Sequence, residues 1–219
     1  MKLNIIYTLA AMVISLSSCA KCEDIIDTSV QVGSVVCSDG TIVNPLLYDD
    51  RKMEAVAVVF YVNTLNEEGK EKGYAVAIED VAECSMLEKL EDVGEVSESL
   101  TDYDGMQNTA GFLNYAKEAK ITTDASSAAV AYSPYGYRGW YVPSISEMRE
   151  LSANFSDIED VVLQLGGDRF SGWYWTSTED GTGEDTAIRY MNICQISNKR
   201  FTVAEKTTIN KVRPIIPIR

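Results

Sequence analysis

Histidine does not occur among the 219 residues. Its absence removes the commonest general base, the usual Ser-His-Asp and Cys-His pairings, and most zinc or copper sites. That argues against a hydrolase. Basic residues are also scarce, with 19 Lys and Arg against 33 Asp and Glu, for a formal net charge of −14. Such a surface repels phosphate backbones, so nucleic acid is not an expected partner. Beyond residue 18 no apolar run approaches a membrane-spanning length, and the longest, Ala55 to Val62, has the length of a strand. Walker, nucleophile-elbow and HExxH patterns are missing, so no cofactor or catalytic metal is expected.

What is present begins at the first residues. Lys2 gives a short positive start, and Ile5 to Leu16 form an apolar stretch of about twelve residues, the length of a secretory h-region. It ends in Leu16-Ser17-Ser18-Cys19, which resembles a bacterial lipobox, with Cys19 as the lipidated residue. Residues 1–18 are then a lipoprotein signal peptide, 19–29 a lipidated tether, and 30–219 one domain. The acidic pair Glu23-Asp24 resembles the surface-export signal of some Gram-negative lipoproteins. The expected location is the outer membrane, held by acyl chains alone. Cys22, Cys37, Cys84 and Cys194 allow three full disulfide pairings, and isolated buried thiols are the alternative.

Along the chain, Val30 to Val36 reads as a strand and Ser38-Asp39-Gly40 as a turn. Glu54 to Val62 is β-branched and nearly continuously apolar, as a central strand is, and Gly73 to Ile78 is its partner across the polar loop 66–72. Residues 79–104 hold ten acids against Lys89 alone; a solvated surface is the plain reading, and the spacing is not that of a calcium loop. Ala110, Leu113 and Ala116 recur as one face of a helix over 106–119, and 126–132 forms a second short helix. Ser144-Ile145-Ser146-Glu147 is a capping box, with Met148 and Leu151 as the buried stripe behind it. Ser156-Asp157-Ile158-Glu159 repeats the pattern, and Gly166-Gly167 ends that helix. Three antiparallel strands follow, at 172–178, 186–193 and 207–216, the last broken or at an edge because of Pro214 and Pro217.

The succession VGSVVCSDGT, AVVFYV, GYAVAI, DGMQNTAGF, GWYVPSISEM, LGG, GWYWTSTE and KVRPI resembles a family of bacterial surface lipoproteins. Their domain has the C-type-lectin-like fold of the formylglycine-generating-enzyme branch, which includes fimbrial paralogous domains and retroelement-diversified variable proteins. The resemblance covers nearly all of the chain after Val32. It implies an α+β domain in which a few helices flank small antiparallel sheets. It also implies a ligand-facing surface after the GWYWTSTE strand, here Asp180 to about Asn198. The enzyme branch uses a reactive cysteine pair, and Cys194 stands alone in the last third of this chain.

Within GWYWTSTE, strand alternation puts Trp173 and Trp175 on one side and Tyr174 on the other. Trp175 is expected in the core; Trp173 is open between core and surface. A binding platform would keep Trp173 or Tyr174 exposed for a sugar ring. The recognition candidates beyond are Glu179, Asp180, Asp185, Arg189, Tyr190 and Asn192, which offer directional hydrogen bonds to sugar hydroxyls or peptide groups. A polar surface loop is the plain alternative. The expectation is a non-catalytic surface lipoprotein whose partner is a glycan or an extracellular protein. The alternative is an accessory or tip subunit of a surface fibre. A third reading, a carboxylate enzyme, requires Glu179 and Asp185 to face each other across a pocket.

Overall fold

The computed structural model describes residues 29–65, 71–182 and 190–218. The signal segment, Cys19, Cys22, Glu23-Asp24, Asp185 and Arg189 lie outside the described residues. The strand expected from residue 30 is shorter: β1 is Val35–Cys37, paired with β2, Ile42–Val43, across the anticipated turn. In that turn Asp39 Oδ1 accepts the Thr41 N–H at 2.9 Å. The apolar run forms β3, Ala55–Val62, and its partner is β4, Gly73–Ala77. A short β5, Ala82–Cys84, opens the acidic segment.

Four helices follow: α1 is Gly105–Ala119, α2 Asp124–Ala131, α3 Ile145–Ala153 and α4 Phe155–Gln164. The capping box at Ser144 and Glu147 is formed in both directions, and Met148 and Leu151 are fully buried behind it. The second expected box does not start a helix. Asn154 closes α3 and opens α4 at once, and its side-chain amide donates to the Phe60 and Glu150 carbonyls, so Ser156 already sits inside the helix. Phe155 fixes that earlier start by stacking edge-on against Phe170. On α1 the buried positions include Asn108, Thr109, Phe112 and Ala116, on one face of the helix; Ala110 is exposed rather than core.

The last third contains β6 Tyr174–Asp180, β7 Tyr190–Gln195, β8 Arg200–Ala204, β9 Asn210–Val212 and β10 Ile215–Ile218. Pro214 breaks the strand anticipated over 207–216 into β9 and β10, which enter different sheets. The first sheet runs β10-β4-β3-β1-β2 and the second β5-β9-β6-β7-β8. With four helices, this is the expected α+β class. Antiparallel pairing dominates, but β6 and β9 pair in parallel where Tyr174 meets Lys211, a departure from the all-antiparallel expectation. The central place of β3 and the edge place of β10 agree with the apolar run and with Pro217.

The largest core cluster joins the two sheets: Val58, Phe60, Tyr74 and Val76 from the first meet Tyr174 and Cys194 from the second, with α3 and α4 packed on them. Trp175 points the other way, into a second cluster with Phe112 of α1 and Ile193 of β7. Cys37, Cys84 and Cys194 are free thiols. Burial pushes the Cys84 and Cys194 thiols up to about 11, which disfavours the thiolate. Among the described residues no helix is long and apolar enough to cross a membrane.

Candidate functional site

The GWYWTSTE stretch is scaffold, and its polar half explains how. Between Trp175 and Glu179 the ladder to β7 slips, because four steps on β6 oppose two on β7. The bulged residues bond elsewhere. Thr176 Oγ1 donates to the Asn192 carbonyl at 2.7 Å, and the Ser177 N–H reaches the Pro143 carbonyl at 2.7 Å. Thr178 Oγ1 accepts the Ile145 N–H at 3.0 Å, satisfying an orphan donor at the start of α3. Asn192 serves the same bulge, since its amide donates to the Thr178 and Glu179 carbonyls at 3.3 and 3.1 Å.

Glu179 is not a surface ligand. It is fully buried and forms an ion pair with Lys206, itself fully buried. The Val93 N–H donates to its Oε1 at 3.3 Å. Burial pushes the Glu179 carboxyl up to about 7, and Lys206 opposes that shift. Tyr174 is also fully buried, which removes it from any exposed platform. Trp173 is half-buried against the Trp175 cluster, and the Arg200 guanidinium lies 6.0 Å above its ring. Asp180 accepts bonds from Thr182, and Tyr190, 36% exposed, is its ladder neighbour. Of the candidates within the described residues, only these two face solvent side by side. Tyr174, Glu179 and Asn192 are buried, Trp173 is half-buried, and Asp185 and Arg189 lie outside the described residues.

The other shared motifs are structural as well. Arg213 of KVRPI is fully buried: its Nε bonds Asp80 at 2.6 Å, its other nitrogens bond the Ala77 and Asp168 carbonyls, and it stacks 4.4 Å from the Phe170 ring. One planar fork thus ties the junction of β9 and β10 to the ends of β4 and α4. In LGG, a Cβ on Gly167 would run into the Ile78 carbonyl, and Asp168 bonds that same carbonyl at 2.8 Å.

One open concavity lies over the outer face of the first sheet. Ala57, Ala75 and Ala77 on that side of the sheet are buried in one cluster with Trp140 and Ile216. Trp140 stands over it, braced edge-on by Tyr132 and Tyr137 at 4.9 and 6.1 Å, with its Nε1 donating to the Tyr137 carbonyl. A cleft of about 560 Å³ remains, walled by Ile216 and Ile218 of β10, Ala110 and Leu113 of α1, and Tyr137. Met106 and Val130 stand at it 39% and 48% exposed. Arg138 is its one charged lining residue. The helical period in Ala110 and Leu113 was therefore real, but it marks the cleft wall rather than the core.

These features define an α+β domain with an apolar cleft beside the edge strand β10. No protein-family model matches the chain, and no curated protein does. Among solved structures it is similar to a fimbrial protein from Bacteroides ovatus, with a TM-score of 0.61 at 16% identity, over 85% of this chain and 48% of that one. The chain thus spans about half the length of that protein. At this identity the likeness is one of fold.

Proposed function

We propose that the chain is a non-catalytic, surface-displayed subunit of a protein fibre, which receives an apolar segment of a neighbouring subunit in the cleft over the first sheet. The cleft carries this reading. Its walls are mostly aliphatic and aromatic with Arg138 as the charged exception, and Thr109 already bonds Val142 and Gly105. A glycan needs convergent hydrogen-bonding groups, whereas apolar protein side chains need only this surface. The outer edge of β10 is bridged by Tyr141 at Ile215, and Pro217 removes the next donor, so docking proceeds through side chains rather than strand addition. Fold likeness to a fimbrial protein supports the same reading, by analogy.

A lipid at Cys19 anchors the subunit, on the strength of the Leu16-Ser17-Ser18-Cys19 motif. The test is to shear the surface of the producing cells and probe the released fibres with antibody. The chain is expected in the fibre fraction, and Val130→Asp, which puts a charge in the cleft, lowers its recovery at least about tenfold. Absence of the wild-type chain from every fibre preparation would overturn the assignment. Labelled palmitate is incorporated by wild type and not by Cys19→Ser.

A further inference from the structure

We infer that two copies of the chain pair antiparallel through the outer edge of β8, with Thr202 on the two-fold axis, joining their second sheets. β8 is the last strand of that sheet, and among the described residues no backbone group bonds its outer side. An edge of this kind offers a row of N–H and C=O groups to another strand. The other edges are poor templates: β2 has two residues, β5 has three, and β10 carries Pro217 and the Tyr141 bridge. β8 has five residues, pairs with β7 at five consecutive positions without a bulge, and contains no proline.

The residues along and beside β8 point to a second copy as the partner. Lys199, Arg200 and Glu205 are exposed, with the cations at one end of the strand and the acid at the other. Antiparallel pairing centred on Thr202 sets Lys199 of each copy opposite Glu205 of the other. Lys199 donates to the Ala153 carbonyl at 3.4 Å and keeps further protons for a carboxylate. In the same register Phe201 of each copy faces Val203 of the other, an aromatic against a β-branched side chain. Val203 is 44% exposed, while Phe201 packs against the largest core cluster with the Arg149 guanidinium 5.7 Å from its ring centre.

On the other face of the strand the two Thr202 side chains meet, and Arg200 meets Ala204. A one-residue slip separates the ion pairs, and parallel pairing sets like charge against like, so one register is selected. The contact is self-complementary and closed, joining subunits in twos. It lies on the second sheet and does not depend on what fills the cleft over the first.

The test places one cysteine at a time along β8 of the full-length chain, in the wild-type background whose Cys37, Cys84 and Cys194 are buried or half-buried. Each purified variant, at about 200 µM to populate a small interface, is oxidised with copper phenanthroline and run on a non-reducing gel. Thr202→Cys puts two thiols directly opposite, about 4.5–5.5 Å apart between Cα atoms, which a disulfide spans. Arg200→Cys leaves its two thiols about 14 Å apart along the strands, beyond reach. Both positions are exposed, so both variants keep the fold. Thr202→Cys is expected to give at least about tenfold more disulfide dimer than Arg200→Cys or wild type. Adding Glu205→Lys to Thr202→Cys lowers that yield about threefold or more, and adding Lys199→Glu as well restores it. No dimer from Thr202→Cys, or equal yields from Arg200→Cys, would overturn the proposal. So would a yield that Glu205→Lys leaves unchanged, since the charge pairing carries the register. Val130→Asp leaves the Thr202→Cys dimer intact, so this outcome is independent of the one at the cleft.

Discussion

The two sheets bury comparable strands with opposite chemistry. In the first, β3 and β4 bury Val, Ala, Phe and Tyr side chains along most of their length. In the second, β6 buries Thr176, Ser177, Thr178 and Glu179 in succession, and the turns around β9 bury Lys206 and Arg213. An apolar face tolerates swaps of similar volume, because dispersion and transfer terms have no partner to lose. A buried ion tolerates no loss of its partner, because the desolvation cost stays while the compensation goes. The first sheet is therefore free to expose an open cleft, while the second is committed to holding the domain together.

The largest effect should come from breaking the second sheet's ion pair. Lys206→Met strands the Glu179 carboxyl and is expected to cost about 3–5 kcal/mol in urea unfolding. Pairing it with Glu179→Met recovers most of that loss, since two apolar groups replace a matched pair. If the double variant is as unstable as the single one, the contrast between the sheets is wrong.

Next is Glu147, where α3 starts between the sheets. Burial pushes its carboxyl from 4.5 up to about 7, against the opposing bonds from Ser144 and Tyr141. The unfolded group ionises near 4.5 and the folded one near 7, so the folded state holds the extra proton between those values. Its contribution is present in full below 4.5 and is lost as pH rises to about 7. Measured against pH by chemical unfolding, the stability of Glu147→Gln relative to wild type should climb by about 3 kcal/mol across that window and stay level above it. A flat difference curve would mean that Glu147 remains ionised when folded.

Smaller still is a swap in the first sheet. Ile216→Leu should cost less than about 1.5 kcal/mol, because the cleft gives the altered branch room. A loss as large as that of Lys206→Met would erase the distinction.

How much of this was legible follows the range of each interaction. β3, the turn at Asp39, the Ser144 box and the burial of Trp175 rest on period, turn chemistry and capping, all set within a few residues. β8 was missed because Arg200 to Ala204 is an edge strand with largely exposed side chains and no apolar alternation. The start of α4 was misplaced because Asn154 answers to the Phe60 carbonyl, a contact 94 residues away. The burial of Glu179 has the same origin. Glu179 looks like a loop acid until Lys206 is brought to it, and no local pattern announces that pairing. The cleft is assembled from β1, α1, α2, the 137–141 loop and β10, so only the Ala110 and Leu113 period hinted at it.

The central claim is that recognition sits over the first sheet and not after β6. It is tested most directly by comparing Val130→Asp with Tyr190→Ala in the sheared fibre fraction, with both Tm values measured in parallel. Both residues are exposed, so both variants should keep their stability within about 0.5 kcal/mol. The account predicts that Val130→Asp drops out of the fibres while Tyr190→Ala remains. Retention of Val130→Asp together with loss of Tyr190→Ala would contradict it.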